Sequence, residues 1–147
     1  MARSSWLVGV SACAALIALT ACSGPATTST ARVVPADAAV DCLDATNIAQ
    51  NGIMKGAKGA GMKFIAAKAV KSPDFSKVYF IAMKFSATGV PDQLGIWASN
   101  SLEAGGGLIM AIDGYAQQFS DWPAGSSTAA QISAADPSVA RVRSCLA

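Results

Sequence analysis

The chain has 147 residues, of which 52% are apolar and 14% charged, enough for one domain with a real hydrophobic core. Its formal charge of +2 argues against nucleic acid as a partner. It contains no histidine, which excludes Ser-His-Asp and Cys-His nucleophile systems and imidazole metal sites.

Arg3 supplies a positive N-terminal region, and residues 6–19 form an uncharged apolar run of signal-peptide length, shorter than a membrane span of about 20 residues. The run ends in Leu19-Thr20-Ala21-Cys22. These four residues resemble the lipobox of bacterial lipoproteins, in which small residues precede a cysteine that takes a diacylglyceryl group and becomes the new N-terminus. The resemblance implies a signal peptide over residues 1–21, lipidation at Cys22, and a chain held to the extracytoplasmic face of a cell membrane. Two acyl chains, at about 0.8 kcal/mol per buried methylene, exceed the marginal binding of one myristoyl chain. The other reading of the same residues is an ordinary cleaved signal peptide that leaves Cys22 as a free or disulfide-bonded thiol. Ser23 follows the cysteine where inner-membrane retention would favour Asp, so sorting between two membranes stays open.

Residues 22–36 form the lipidated cysteine and a flexible tether, because SGPATTSTA at 23–31 is small, polar and devoid of core-forming side chains. Its Thr-rich, Ala-rich composition is similar to tethers of lipoproteins from high-GC Gram-positive bacteria, some of which carry sugars. A bare linker is the simpler expectation. Residues 37–147 then make a single extracytoplasmic domain. The mean hydropathy of +0.41 owes much to the signal peptide and to alanine.

Of the four cysteines, Cys13 leaves with the signal peptide and Cys22 is the lipid acceptor, so Cys42 and Cys145 remain. They bracket almost the whole domain in a compartment that permits oxidation, and a disulfide between them is expected. A two-cysteine metal site lacks its other ligands. All seven lysines lie between Lys55 and Lys84, whereas Asp92, Glu103, Asp113, Asp121 and Asp136 follow with no base until Arg141. Basic strands meeting acidic loops would explain this. The sharper reading is a lysine-rich face turned toward anionic headgroups or an acidic partner.

Residues 41–54 fit a short amphipathic helix with Asp41 as N-cap, fraying at Asn51-Gly52. The glycine-rich stretch 56–61 is a loop; it lacks both the P-loop Lys-Ser/Thr and the dinucleotide glycine order. Strand patterns follow at 62–70 and, more strongly, at 77–86, where Tyr79, Ile81, Met83 and Phe85 share one face and Val78, Phe80 and Ala82 the other. Two largely apolar faces predict a central strand with at least part of each face covered. Ser72-Pro73-Asp74 turns between these strands, and residues 89–92 make the next turn.

Residues 93–99 alternate as a third strand, with Trp97 on the otherwise polar side beside Gln93, Gly95 and Ser99. Covering by the tether or a loop competes with a ligand or partner contact for that ring. Residues 100–107 form a turn and 108–112 a fourth strand. Residues 113–119 read as a single turn or short helix that groups Tyr115, Phe119 and Trp122 at one end of the sheet, either as a plug or as an aromatic recognition patch. Residues 124–135 are a loop. Asp136-Pro137 opens a C-terminal helix, with Val139, Val142 and Leu146 on one face, which would bring Cys145 to the N-terminal helix and Cys42.

The expected fold is therefore α+β: a four-stranded antiparallel meander flanked by an N-terminal and a C-terminal helix, joined by one disulfide. No Ser is followed by Lys at the spacing of the penicillin-binding enzymes, and the carboxylates are scattered singly, so no catalytic residue, cofactor or enzymatic activity is expected. The expected function is a non-catalytic interaction or accessory module of the cell envelope, partnered by membrane lipid through Cys22 and by another envelope protein. Blocking a later phage infection is one form this could take. The alternative is a small-ligand or lipid-binding lipoprotein. Candidate surface residues are Trp97, Tyr115, Phe119 and Trp122.

Overall fold

In a computed structural model of the chain, residues 41–59, 61–103 and 107–147 are described. Cys22 and the stretches expected to be signal peptide and tether lie outside the described residues. So do residue 60 of the glycine-rich loop and residues 104–106 of the turn before the last strand.

The sheet is antiparallel with five strands in sequential order: β1 Leu43–Asp44, β2 Lys63–Lys71, β3 Tyr79–Ala87, β4 Val90–Ser99 and β5 Ile109–Ala111. The expected four strands are all present. The fifth comes from the stretch read as the start of the first helix. Leu43 and Asp44 pair with Ala69 and Lys68 on the outer edge of β2, and the Asp44 carboxylate accepts from Lys68 Nζ at 2.6 Å. Two residues are too short to show a period of two, so strand and helix could not be told apart there.

Helix α1 runs from Asn47 to Lys55. Its N-cap is Thr46, not Asp41: Thr46 Oγ1 accepts from Ala49 N at 3.3 Å and donates to the carbonyl of Leu102. The helix does not fray at Asn51-Gly52, because Ile53, one turn after Ala49, is fully buried beneath it and holds the last turn down.

As expected, β3 is the middle strand and is covered on both faces. Ile81, Met83 and Phe85 join Ala49 and Ile53 of α1 in one core. Phe80 and Ala82 join Val139 and Val142 of the C-terminal helix in the other. That helix, α3 (Pro137–Ser144), starts as the sequence predicted, with Asp136 Oδ1 accepting from Ser138 N at 2.8 Å and Pro137 in the first turn.

The turn between β3 and β4 falls earlier than residues 89–92. Thr88 and Gly89 alone make it, with Gly89 at φ +78, and β4 resumes at Val90. Pro91 is accommodated in the irregular stretch between the pairs Ala87–Val90 and Phe85–Gln93, where a missing N–H costs the ladder little.

The Cys42–Cys145 disulfide is present, with a Cα–Cα distance of 5.8 Å and a sequence separation of 103. Its surroundings differ from expectation. Helices α1 and α3 pack on opposite faces of the sheet, so Cys145 does not approach the N-terminal helix. It instead meets Cys42 in the segment leading into edge strand β1. The bond ties the last helix to the edge of the sheet.

Candidate functional site

A short helix, α2 (Gly114–Phe119), follows β5 directly. Its N-cap, Asp113, is a buried carboxylate that connects three elements. Oδ1 accepts from Ile96 N of β4 at 3.1 Å and from Ala116 N of α2 at 2.9 Å, and Oδ2 accepts from Arg143 of α3 at 2.9 Å. Ile112 N donates to Ile96 O at 2.9 Å, so the Asp113 carboxylate continues the β4–β5 ladder by one bond where the backbone of β5 turns away. Such charge-assisted bonds are shorter and stronger than neutral ones.

Beside this carboxylate lies an open depression of about 510 Å³, lined by Asp113, Gly114, Tyr115, Gln118 and Arg143. Tyr115 is 47% exposed. The guanidinium of Arg143 is oriented by Asp113 while its side chain stays partly in solvent. The surface therefore offers an aromatic ring, an amide and a guanidinium on a frame whose geometry is set from below. A second concavity of about 280 Å³, lined by Asp41, Leu43, Lys71, Ser72, Pro73 and Arg141, lies where the chain enters the domain.

The aromatic residues singled out from the sequence do not form one patch. Trp97 is fully buried and is not a surface residue. Among the described residues its cover is α2 with Ser120. Trp97 Nε1 donates to Ser120 Oγ at 3.1 Å, Ser120 Oγ donates to Ala116 O at 2.6 Å, and the indole meets Phe85 edge-on with centroids 6.0 Å apart. Room for the ring comes from Gly95, two residues earlier on the same face: a Cβ there would stand 2.5 Å from Trp97 Cη2.

Phe119 and Trp122 also turn inward. Phe119 packs edge-on against Phe85 at 5.2 Å, and Trp122 Nε1 donates to Ile53 O of α1 at 3.0 Å. They close the core between α1 and α2, as the plug reading had it. Only Tyr115 of the four reaches the surface depression. A six-residue helix explains the split, since Ala116 and Phe119 point at the sheet and Tyr115 points away from it.

Asp113, Gln118 and Arg143 were not singled out from the sequence. Asp113 carried a signal, an acid directly ahead of a helical stretch. Arg143 carried none, because its partner lies 30 residues away in the chain.

Among the described residues one ion pair joins the lysine-rich stretch to the acidic one. Lys84 meets Asp92 at 3.8 Å, and Lys58 Nζ donates to Gln117 O at 2.8 Å. These join the Asp44–Lys68 and Asp113–Arg143 pairs. Among the described residues no three His, Cys, Asp or Glu side chains gather as metal ligands, and no helix is long and apolar enough to cross a membrane. Comparison with known protein families, curated proteins and solved structures finds no match to this chain.

Proposed function

We propose that this chain is an extracytoplasmic lipoprotein, held to the membrane by a diacylglyceryl group on Cys22, whose domain is a non-catalytic recognition module for another envelope protein. The observation that carries the reading is the build of the Tyr115–Gln118–Arg143 surface. Both faces of the sheet are filled by side chains, and the larger depression is open to solvent, so recognition falls to the exterior. Exposed Tyr and Arg are the residue types that dominate protein interfaces, and Asp113 restrains the guanidinium before any partner arrives. Two buried polar groups near the depression are committed to packing: Asp113 accepts three hydrogen bonds and Ser120 bridges Trp97 to α2.

The test places a photo-crosslinking amino acid at Gln118 in the native host, with Lys77 as control. One discrete protein adduct from position 118, lost on Arg143→Glu, is the expected result. Equal or absent crosslinking at both positions would sink the reading. The size of the depression, about 510 Å³, lies within the range of small-molecule sites and supports the second reading, a ligand-binding lipoprotein. Native mass spectrometry that finds one small molecule per chain, displaced by Tyr115→Ala, would put that reading first.

A further inference from the structure

Three large apolar side chains outside the core, Phe64, Ile65 and Val90, are 40, 43 and 40% exposed. Strand register gathers them at one end of the sheet. Phe64 lies opposite Phe85 and Lys63 opposite Ser86, while Val90 lies opposite Ala87. The first residues of β2 and β4 thus flank the last residues of β3. Paired residues share a face. Phe85 and Ala87 belong to the core beneath α1 and α2, so Phe64 and Val90 stand on that same face at its open margin. Ile65 sits in the bulge between the pairs Phe64–Phe85 and Ala66–Lys84.

The surroundings are basic. Lys63 is exposed and, among the described residues, makes no ion pair. Lys84 stands one strand over, on the opposite face from its neighbour Phe85, and among the described residues pairs with Asp92 at 3.8 Å. Lys63 and Lys84 therefore flank the apolar group at the same strand ends, alternating onto the opposite side of the sheet from Phe64 and Val90.

We infer that this end of the sheet is a second membrane contact, in which Phe64, Ile65 and Val90 enter the interfacial layer of an anionic bilayer and the lysines meet its headgroups. Apolar tips with lysines at the same strand ends combine the two terms that hold a peripheral surface to lipid, buried apolar area and headgroup attraction. A second copy of the chain fits less well. The β2 edge carries a bulge flanked by Lys63 and Lys68, and the β4 margin carries Pro91 and Asp92, all devices that oppose pairing with another strand.

The inference rests on the proposed anchor at Cys22, which keeps a bilayer within reach. The residues between Cys22 and Asp41 could span at most roughly 65 Å, so the tether holds the domain near the surface without dictating which end faces it. The contact at Phe64 would supply that orientation.

The experiment uses full-length protein purified from its host membrane and reconstituted into vesicles of phosphatidylglycerol and phosphatidylcholine. Part of the phospholipid carries a diazirine in its acyl chain. Photolysis, tryptic digestion and mass spectrometry then map the adducts. Lipid adducts on the peptide 64–68 are expected, reduced by at least about tenfold when Phe64→Ser and Ile65→Ser are combined. Lys63→Glu, read on the tryptic peptide 59–68 that this change leaves, should lower them in phosphatidylglycerol vesicles and leave them unchanged in phosphatidylcholine alone.

Adducts confined to the N-terminal lipopeptide would overturn the inference and leave the anchor standing. So would a crosslinked homodimer through β2 in the absence of lipid. A Cys22 without diacylglyceryl mass would overturn the anchor, while adducts at 64–68 still report on the patch.

Discussion

Replacing Asp113 tests whether one carboxylate ties β4, α2 and α3 together. Asp113→Ala removes the N-cap of α2, worth about 1 kcal/mol. It also leaves the Ile96 amide without its acceptor among packed side chains, at a cost of about 1 to 3 kcal/mol. The Arg143 pair adds less than about 1 kcal/mol, since the arginine is partly solvated. The expected loss is about 3 kcal/mol. Asp113→Asn keeps a carbonyl oxygen at the Oδ1 position and both amide bonds, so its cost should stay near 1 kcal/mol or below.

Urea unfolding followed by tryptophan fluorescence measures both variants, and hydrogen exchange at the Ile96 amide reports the bond itself. Equal destabilisation by Ala and Asn, or an Ile96 amide that exchanges no faster in the Ala variant, would refute the linking role. In that case the depression beside Tyr115 loses its fixed frame.

Further expectations follow from the same structure. Replacing Cys42 and Cys145 by Ser together removes a crosslink at a sequence separation of 103 and should cost about 4 to 5 kcal/mol in the chain-entropy estimate. An unchanged urea midpoint in that double variant contradicts it. Ser138 Oγ is fully buried with no hydrogen-bond partner among the described residues, so Ser138→Ala should raise stability by about 0.5 to 1 kcal/mol, and a lower thermal midpoint would show a missed partner. At Gly56, a Cβ would stand 2.3 Å from Trp122 Nε1, so Gly56→Ala must push the indole aside and break its bond to Ile53 O. The expected cost is about 1 to 3 kcal/mol with a shift in tryptophan emission, and unaltered emission would count against this packing.

Much of the fold was legible along the chain because the signals are local. The double alternation of residues 77–86 marked β3 as central, Asp136-Pro137 marked the start of α3, and the two cysteines left after Cys13 and Cys22 marked the crosslink. Strand periodicity, capping and cysteine spacing each act over a few residues or by elimination.

What tertiary structure alone decided depends on partners far apart in sequence. Leu43 and Asp44 become a strand because β2 has an open edge beside them, and Trp97 is interior because α2 folds over the space left by Gly95. The separation of α1 from α3, on opposite faces of the sheet, sends Cys145 to the edge segment instead of to the first helix. Arg143 joins Asp113 only once α3 has docked, which is why that pairing had no signature in the chain. The alternation of side chains along a strand states which residues share a face, but which helix covers that face is settled by packing across the sheet.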